Sequence, residues 1–552
     1  MSAVADTASH AAIKSLEELA ALPPEKISIE KRIQLCRECA ERVVQMAPEW
    51  VRLEADVKGL PTGQRAEAVL SGPSVVLRQL RLSIQTLSSV LKNGRPTLPG
   101  KTRTSATGQL AVPVFPTTGF FDSMVFAGLT AEVHMQPGVQ ADQLHGDHPE
   151  HLNSGRVDGI ALVLGAGNVS SIPATDTLNR VLFDGRRVLL KLNPVNAYLE
   201  PIFNEVMGPL VNAGLLRIVT GGGDVGATLV RDDRVTEIHV TGSVLTHNAI
   251  VWGTGPGETR PGQPITDKCV TSELGNVTPW IVVPARYSGK ELSSQAQHLA
   301  ASITNNVSFN CIATKMIVTS RHWPQRDEFL QLLQQALDET PTRKSYYPGA
   351  ADRYARFAAV EDPRDANGHL PWKLLPDQQP SERPELFAEE SFVCVCAETA
   401  LDESDSKKFL EAAVAFVNDR LYGTLSATIT LPNALQKSEP VWLEQTIGAM
   451  RYGTVCLNQW SGLAYGLIST PWGAWPGSTY EDVQSGIGSV HNTYLLANHE
   501  KSVLKGPLVN SPKPIWFPSH RKAETVGWKL LELYHRPSLL RLPGLAIAAA
   551  TG

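Results

Sequence analysis

Apolar residues recur at helical spacing through much of the first hundred positions. Ile29 to Val57 carries them every three or four residues, and Ser15 followed by Glu18 has the form of a capping box that opens a helix. The pattern predicts a helical N-terminal region. Residues 101–150 follow no period and are rich in Pro, Gly and aromatics, which predicts irregular structure. From about residue 155 the pattern changes. Ile160-Ala161-Leu162-Val163-Leu164 is an apolar run of strand length, and Arg187 to Leu192, Leu216 to Thr220 and Val235 to Val240 are three more. Helical stretches lie between them, notably Tyr198 to Asn212. Such alternation predicts an α/β fold, a parallel sheet with helices on both faces.

Composition sets the scale. A chain of 552 residues, 42% of them hydrophobic, can bury a large core and divides into two or more domains. A net charge of −5 gives no basis for nucleic-acid binding. Seven scattered cysteines do not make a disulfide framework, and an odd count suits a reducing compartment. Met1 to Asp6 has no basic segment leading into an apolar one. No stretch is long enough to span a bilayer, and the apolar tail Leu545 to Ala550 is far too short. A cytoplasmic protein without an integral membrane segment is expected.

Candidate chemistry centres on Cys311, set among small and polar residues in Asn305-Asn306-Val307-Ser308-Phe309-Asn310-Cys311. Upstream, Glu273 stands beside a glycine turn in Glu273-Leu274-Gly275-Asn276. A thiolate is a good nucleophile and a carboxylate can activate water, so the pair suggests covalent chemistry on a carbonyl. A buried, inert thiol is the ordinary alternative for any cysteine. Cys36 and Cys39 form a lone C-x-x-C on the predicted N-terminal helix and read as packing residues. His145, His148 and His151 have a spacing that three metal ligands could use, but the residues between them suggest an exposed loop, so no metal is expected. Gly221 to Gly226 satisfies G-x-G-x-x-G after the third strand, yet the next strand follows too soon for a full dinucleotide turn. A better anion site is Thr241-Gly242-Ser243, opening the helix Val244 to Val251.

Taken in order from about residue 155 to 505, these segments resemble the aldehyde dehydrogenase superfamily. Ile218 to Gly226 through Val240-Thr241-Gly242-Ser243 is similar to its turn-to-TGS segment, Glu273 to Asn276 to its ELGG box, and Asn306 to Cys311 to its cysteine box. Asn418 to Ala427, Gly453 to Asn458 and Pro471 to Ala474 are similar to its N…YGLSA, GxVxxN and PFGG segments. The resemblance implies two Rossmann-like parallel-sheet domains plus a small oligomerisation β-element. The implied divisions are a helical N-terminal part of the cofactor domain at 1–130, an oligomerisation hairpin and linker at 131–158, and a dinucleotide-binding domain at 159–285. A catalytic domain follows at 286–466, a return segment with the oligomerisation strand at 467–510, and an extension at 511–552.

It also implies roles. Cys311 would attack an aldehyde, Asn168 and the Cys311 backbone N–H would hold the oxyanion, and Glu273 would activate water to hydrolyse the thioester left after hydride transfer. The cofactor would be NAD or NADP, held by Lys191, Glu390 and Phe392, with Gly221, Gly226, Gly242 and Ser243 along its phosphates. For Lys191 the alternative is a solvated strand end, for Phe392 a core aromatic, and for the glycines a tight turn. A homodimer or homotetramer acting on a small-molecule aldehyde is implied.

The departures are specific. Ser308-Phe309 stands where Gly-Gln is usual, and Gly165-Ala166-Gly167-Asn168 keeps the asparagine of PWN without Pro-Trp. Leu192-Asn193-Pro194 lacks the usual glutamate after Lys191, which removes a repulsion against a 2′-phosphate. Extra residues near Gly253 to Pro264 lengthen the approach to Glu273. In the extension, Glu524 to Tyr534 reads as an amphipathic helix that packs on the protein or a neighbouring subunit, since a membrane-surface helix should be more basic. The Phe115, Phe120, Phe121 and Phe126 cluster suits either a substrate channel or core. Two other functions stay open. One is an acyl-thioester reductase using the same cysteine, including a CoA-acylating form; the other is a non-catalytic nucleotide-binding relative.

Overall fold

The computed structural model describes residues 2–23, 25–119 and 121–552, so Phe120 of the aromatic cluster lies outside the described residues. Two sheets organise them. The six-stranded sheet runs Gly486–Ile487, Cys269–Glu273, Glu237–Thr241, Ile160–Leu164, Arg187–Lys191, Leu216–Val219, parallel except at its first edge. The apolar runs of its inner strands are buried on both faces, as a helix-covered parallel sheet requires. The fourth strand begins at Glu237, two residues later than the pattern suggested, and carries Thr241 as its last residue.

The second sheet has ten strands. Seven are parallel, in the order Lys373–Leu375, Val395–Leu401, Met316–Ser320, Pro279–Val282, Ser426–Thr430, Thr454–Leu457 and His499–Lys505. Thr130–Met135, Leu110–Phe115 and Arg103–Thr104 then continue it antiparallel. The stretch 101–150 is therefore not irregular throughout. Its hairpin lies at 110–115 and 130–135 rather than within 131–158, and its partner strand comes from residues 499–505, which no local period can reveal.

Other expectations shift for local reasons. Ser15 does not open a helix: the helix is Ser2–Ala20, and Ser15 sits inside it with its hydroxyl bonded back to Ala11 O at 3.1 Å. The stripe Ala12, Leu16 and Leu19 that packs on the six-stranded sheet carries the helix past that point. The helix Ile29–Lys58 starts at Ser28, whose Oγ accepts from Lys31 N, and ends at Gly59. Cys36 and Cys39 lie on its buried face, and burial pushes the Cys39 thiol up to about 12. The stretch Tyr198 to Asn212 is broken into Glu200–Val206 and Gly208–Asn212, since Pro209 cannot continue a helix. His148 and His151 sit on a short helix, His148–Ser154, not a loop; His145 and His151 bond backbone carbonyls of Leu495 and Asp184. Among the described residues no cluster of His, Cys, Asp and Glu could hold a metal ion, and no helix is long and apolar enough to cross a membrane.

The extension packs back on the molecule. Its helix Ala523–His535 lies on Ala66–Ser71 and Pro73–Asn93, with Val526, Leu530, Leu531 and Leu533 buried. A further helix, Leu542–Ala550, covers part of it.

Candidate active site

Both sheets deliver side chains to one place. Glu273 is the last residue of the strand Cys269–Glu273, so its carboxyl emerges at the C-terminal end of the six-stranded sheet. Cys311 comes from the other side. The helix Gly289–Thr304 stops, and Asn306, Val307 and Ser308 follow with φ of 51°, 55° and 65°. A β-branched residue such as Val307 holds that conformation only at a cost of about 1–3 kcal/mol. Hydrogen bonds hold it in place. Asn306 Nδ2 donates to Asn168 O and Phe309 O, each at 3.0 Å. Lys315 Nζ donates to Ser308 Oγ at 2.7 Å and Ser308 O at 3.1 Å. The buried Lys58 donates to Asn306 Oδ1 at 3.0 Å, to Asn168 O at 3.1 Å and to Glu54 at 2.7 Å. Tyr346 OH donates to the same Asn168 O and Asn306 Oδ1.

The result is that Cys311 Sγ lies 3.1 Å from Glu273 Oε1, with the thiol donating. Burial pushes the Glu273 carboxyl up to about 7; the thiol's hydrogen bond pulls it partly back and Asp176 repels it further. Burial, and then the Glu273 charge, push the Cys311 thiol well above its ordinary value. The resting site therefore holds a thiol, with a base poised to take its proton. Cys311, Glu273 and Asn168 line one cavity of about 790 Å³. Asn168 Nδ2 donates to Phe309 O at 3.0 Å, so one of its two amide hydrogens is engaged by the cysteine turn.

Where the motifs depart from the pattern they resemble, the packing gives a reason. A Cβ at Gly167 would press on Asn193 Oδ1 and the Tyr347 hydroxyl, so no tryptophan fits there. Phe309 is fully buried and packs with Tyr346, Tyr347 and Phe392 at centroid distances of 5.2, 5.5 and 5.9 Å. Of the aromatic cluster in the irregular stretch, Phe115 is buried against Phe126, and Phe126 lines the cavity.

The residues expected to hold a dinucleotide fall into two groups. Lys191 ends the strand Arg187–Lys191 and is 7% exposed, and its Nζ has no hydrogen-bond partner among the described residues; burial lowers its pKa, with Asp224 acting against that. Glu390 has a buried Oε1 without a partner, and its other oxygen lies so close to Gly275 that a Cβ there would overlap it. Burial raises its pKa, opposed by Lys315, the Asn276 N–H and Arg353. Such orphaned polar atoms suit an external hydroxyl or ribose. Phe392 (φ 47°) meets Tyr347 edge-to-face at a centroid distance of 5.1 Å. The glycines are less committed. Gly221 (φ 148°) makes the turn after the third strand, whereas Gly226 sits inside the helix Gly223–Arg231 with open space where a Cβ would be. Gly242 likewise has room, and the Ser243 hydroxyl caps the helix Val244–Val251 by accepting from Thr246 N at 3.2 Å.

Residues 159–351 match the family model described as the aldehyde dehydrogenase family. No curated protein matches the sequence. Solved structures do. An NAD-dependent aldehyde dehydrogenase from Sinorhizobium meliloti superposes with a TM-score of 0.60 at 18% identity, over 92% of this chain and 88% of that one. Indole-3-acetaldehyde dehydrogenase complexed with NAD+ gives 0.57 at 18% identity, covering 92% and 89%. The glyceraldehyde-3-phosphate dehydrogenase GapN of Methanocaldococcus jannaschii, complexed with NADP, gives 0.56 at 15% identity, covering 91% and 94%. The family model thus matches the segment that carries Glu273 and Cys311, and the fold of solved aldehyde dehydrogenases is shared over most of the chain's length.

Proposed function

We propose that this protein oxidises an aldehyde to a carboxylic acid through a thioester on Cys311, with NAD or NADP as electron acceptor. The observation that carries the reading is the 3.1 Å contact between the Cys311 thiol and the Glu273 carboxyl inside a cavity that Asn168 also lines. Glu273 takes the thiol proton as sulfur attacks the carbonyl carbon. The Asn168 amide and the Cys311 N–H receive the negative charge on oxygen, each such donor lowering the barrier by about 3 kcal/mol. A bound nicotinamide supplies the hydride acceptor. Lys191 and Glu390 offer unpartnered polar atoms to its two riboses, and Phe392 an aromatic face to its ring. Glu273 releases the thiol's proton to solvent and then deprotonates water for attack on the thioester, and the departing Cys311 sulfur takes that second proton from Glu273 to become the thiol again. We assign the dinucleotide to 159–285 and the nucleophile to 286–466. We expect a cytoplasmic homodimer or homotetramer.

A base this close to the sulfur suits water, not CoA, as the acyl acceptor, and so favours oxidation over thioester reduction. Cys311→Ala should abolish steady NAD(P)H formation from every aldehyde while dinucleotide binding, followed by fluorescence titration, persists. Undiminished turnover in that variant would sink the mechanism, and faster acyl transfer to CoA than to water would turn the assignment to the thioester reading.

A further inference from the structure

The cavity at Cys311 reaches the C-terminal extension. Its wall includes Ile312, Leu463 and Tyr465, which cluster with Cys311, and also Ile515, Trp516, Phe517, Leu530 and Tyr534, all from the extension beyond the strand His499–Lys505. At about 790 Å³ it stands in the upper part of the range for small-molecule sites, far more than a short aldehyde fills.

The outer wall is fixed at both ends. On one side Trp516 Nε1 donates to His298 Nε2 at 3.2 Å, and the backbone N–H of Trp460 donates to the same nitrogen at 3.3 Å. His298 is fully buried and ringed by Trp280, Trp516 and Phe517. An imidazole nitrogen that accepts twice carries no proton, so His298 is neutral with its proton on Nδ1. The Trp460 indole in turn donates to Ile312 O at 2.8 Å, one residue from the nucleophile. On the other side Glu524 accepts from Arg65 N at 2.8 Å, and the Tyr534 ring lies under Arg78 and Arg81. The extension thus bridges the cysteine-bearing sheet and the N-terminal helices across the cavity. Polar groups, Gln64, Arg343 paired to Glu67, and Arg521, collect among the lining residues.

We propose that residues 511–552 build a subsite for the apolar body of the substrate, and that the protein takes aldehydes with a long, unbranched hydrocarbon chain. The proposal rests on the aldehyde reading above for the identity of the reacting group, but the subsite is tested without turnover. Primary amides cannot be oxidised at Cys311 and report binding alone. Each methylene buried from water is worth about fourfold in affinity.

By titration calorimetry, decanamide should bind the 552-residue protein at least ~100-fold more tightly than propanamide, well short of seven methylenes at that increment. Ile515→Trp, which narrows the outer cavity, should cut that ratio by roughly tenfold or more, the loss of about two methylene increments. Should that variant fail to fold, 10-bromodecanamide should quench tryptophan fluorescence of the unmodified chain, and the quenching should shrink in Trp516→Phe. A wild-type ratio near one, or the same ratio in Ile515→Trp, or quenching that Trp516→Phe leaves unchanged, overturns the subsite. If decanamide binds as expected while no aldehyde is oxidised, the activity reading fails and the subsite stands. If aldehydes are oxidised with no gain from propanal to decanal and the amides bind alike, the subsite alone fails.

Discussion

Replacing Glu273 by Gln should make the protein more stable and less active, and the gain should depend on pH. The carboxyl is 5% exposed, and its pKa is raised from 4.5 to about 7, chiefly by burial. At about 1.4 kcal/mol per pH unit, ionising it inside the fold is disfavoured by roughly 3 kcal/mol. A carboxyl whose folded pKa exceeds its unfolded value keeps its proton longer in the native state. Native stability therefore falls as pH rises from about 4.5 to about 7 and stays low above that. A glutamine, neutral throughout and able to accept from the Cys311 thiol, escapes that loss. Denaturant unfolding at pH 5 and pH 8.5 should show E273Q gaining up to about 3 kcal/mol over the wild type at the higher pH and little at the lower. In the same samples steady turnover should collapse, and the first NAD(P)H, at most one per site, should form much more slowly because the thiol has lost its base. Wild-type hydrolysis should rise with pH through about 7, where the base loses its proton. An equal stability difference at the two pH values would refute the claim that Glu273 is held in a strained, desolvated state.

Three other outcomes test the surrounding geometry. Asn168→Ala should lower kcat about 100-fold with a smaller change in KM, because the amide serves the developing charge more than the bound aldehyde; a pure KM effect would remove it from the oxyanion site. Gly275→Ala should weaken dinucleotide binding, since its Cβ would displace Glu390; equilibrium titration giving an unchanged Kd would show that Glu390 does not touch the cofactor. Lys58→Met leaves the buried Glu54 without its counter-charge and takes one donor from each of the Asn168 and Asn306 oxygens. It should cost about 3–5 kcal/mol in chemical denaturation, and an effect under 1 kcal/mol would mean that the pair is not structurally required.

The chain's chemistry is more legible than its support. Glu273 and Cys311 could be singled out because each stands in a short stretch whose residue types suit the chemistry, and the apolar runs at 160–164 and 187–192 read directly as buried strands. Lys58 could not. Glu54 and Lys58, one turn apart on a helix, look like an ordinary surface pair, and only partners 110 and 248 positions away make them buried. Arg353 and Lys315, which modulate Glu390, are hidden for the same reason. Ser15 misled because a capping pattern is local, whereas the stripe through Ala12, Leu16 and Leu19 is set by the sheet beneath it. The extension's helix was visible as an amphipathic period, but a period shows only that a face is covered, not that a cavity lies behind it.

The strand His499–Lys505 has a consequence for how the molecule is made. It is the seam between the parallel and antiparallel halves of the large sheet, and Gln109 and Glu500 meet across it from 391 positions apart. Closing a loop of that length is slow compared with forming any local contact. Until it closes, His499–Lys505 presents a bare strand edge, the kind of surface that captures other unfinished chains. The segment 286–466 expressed alone lacks that strand and would bare Thr454–Leu457 instead. The nucleophile's own sheet is thus a late product of folding, and it depends on residues from near both ends of the sequence.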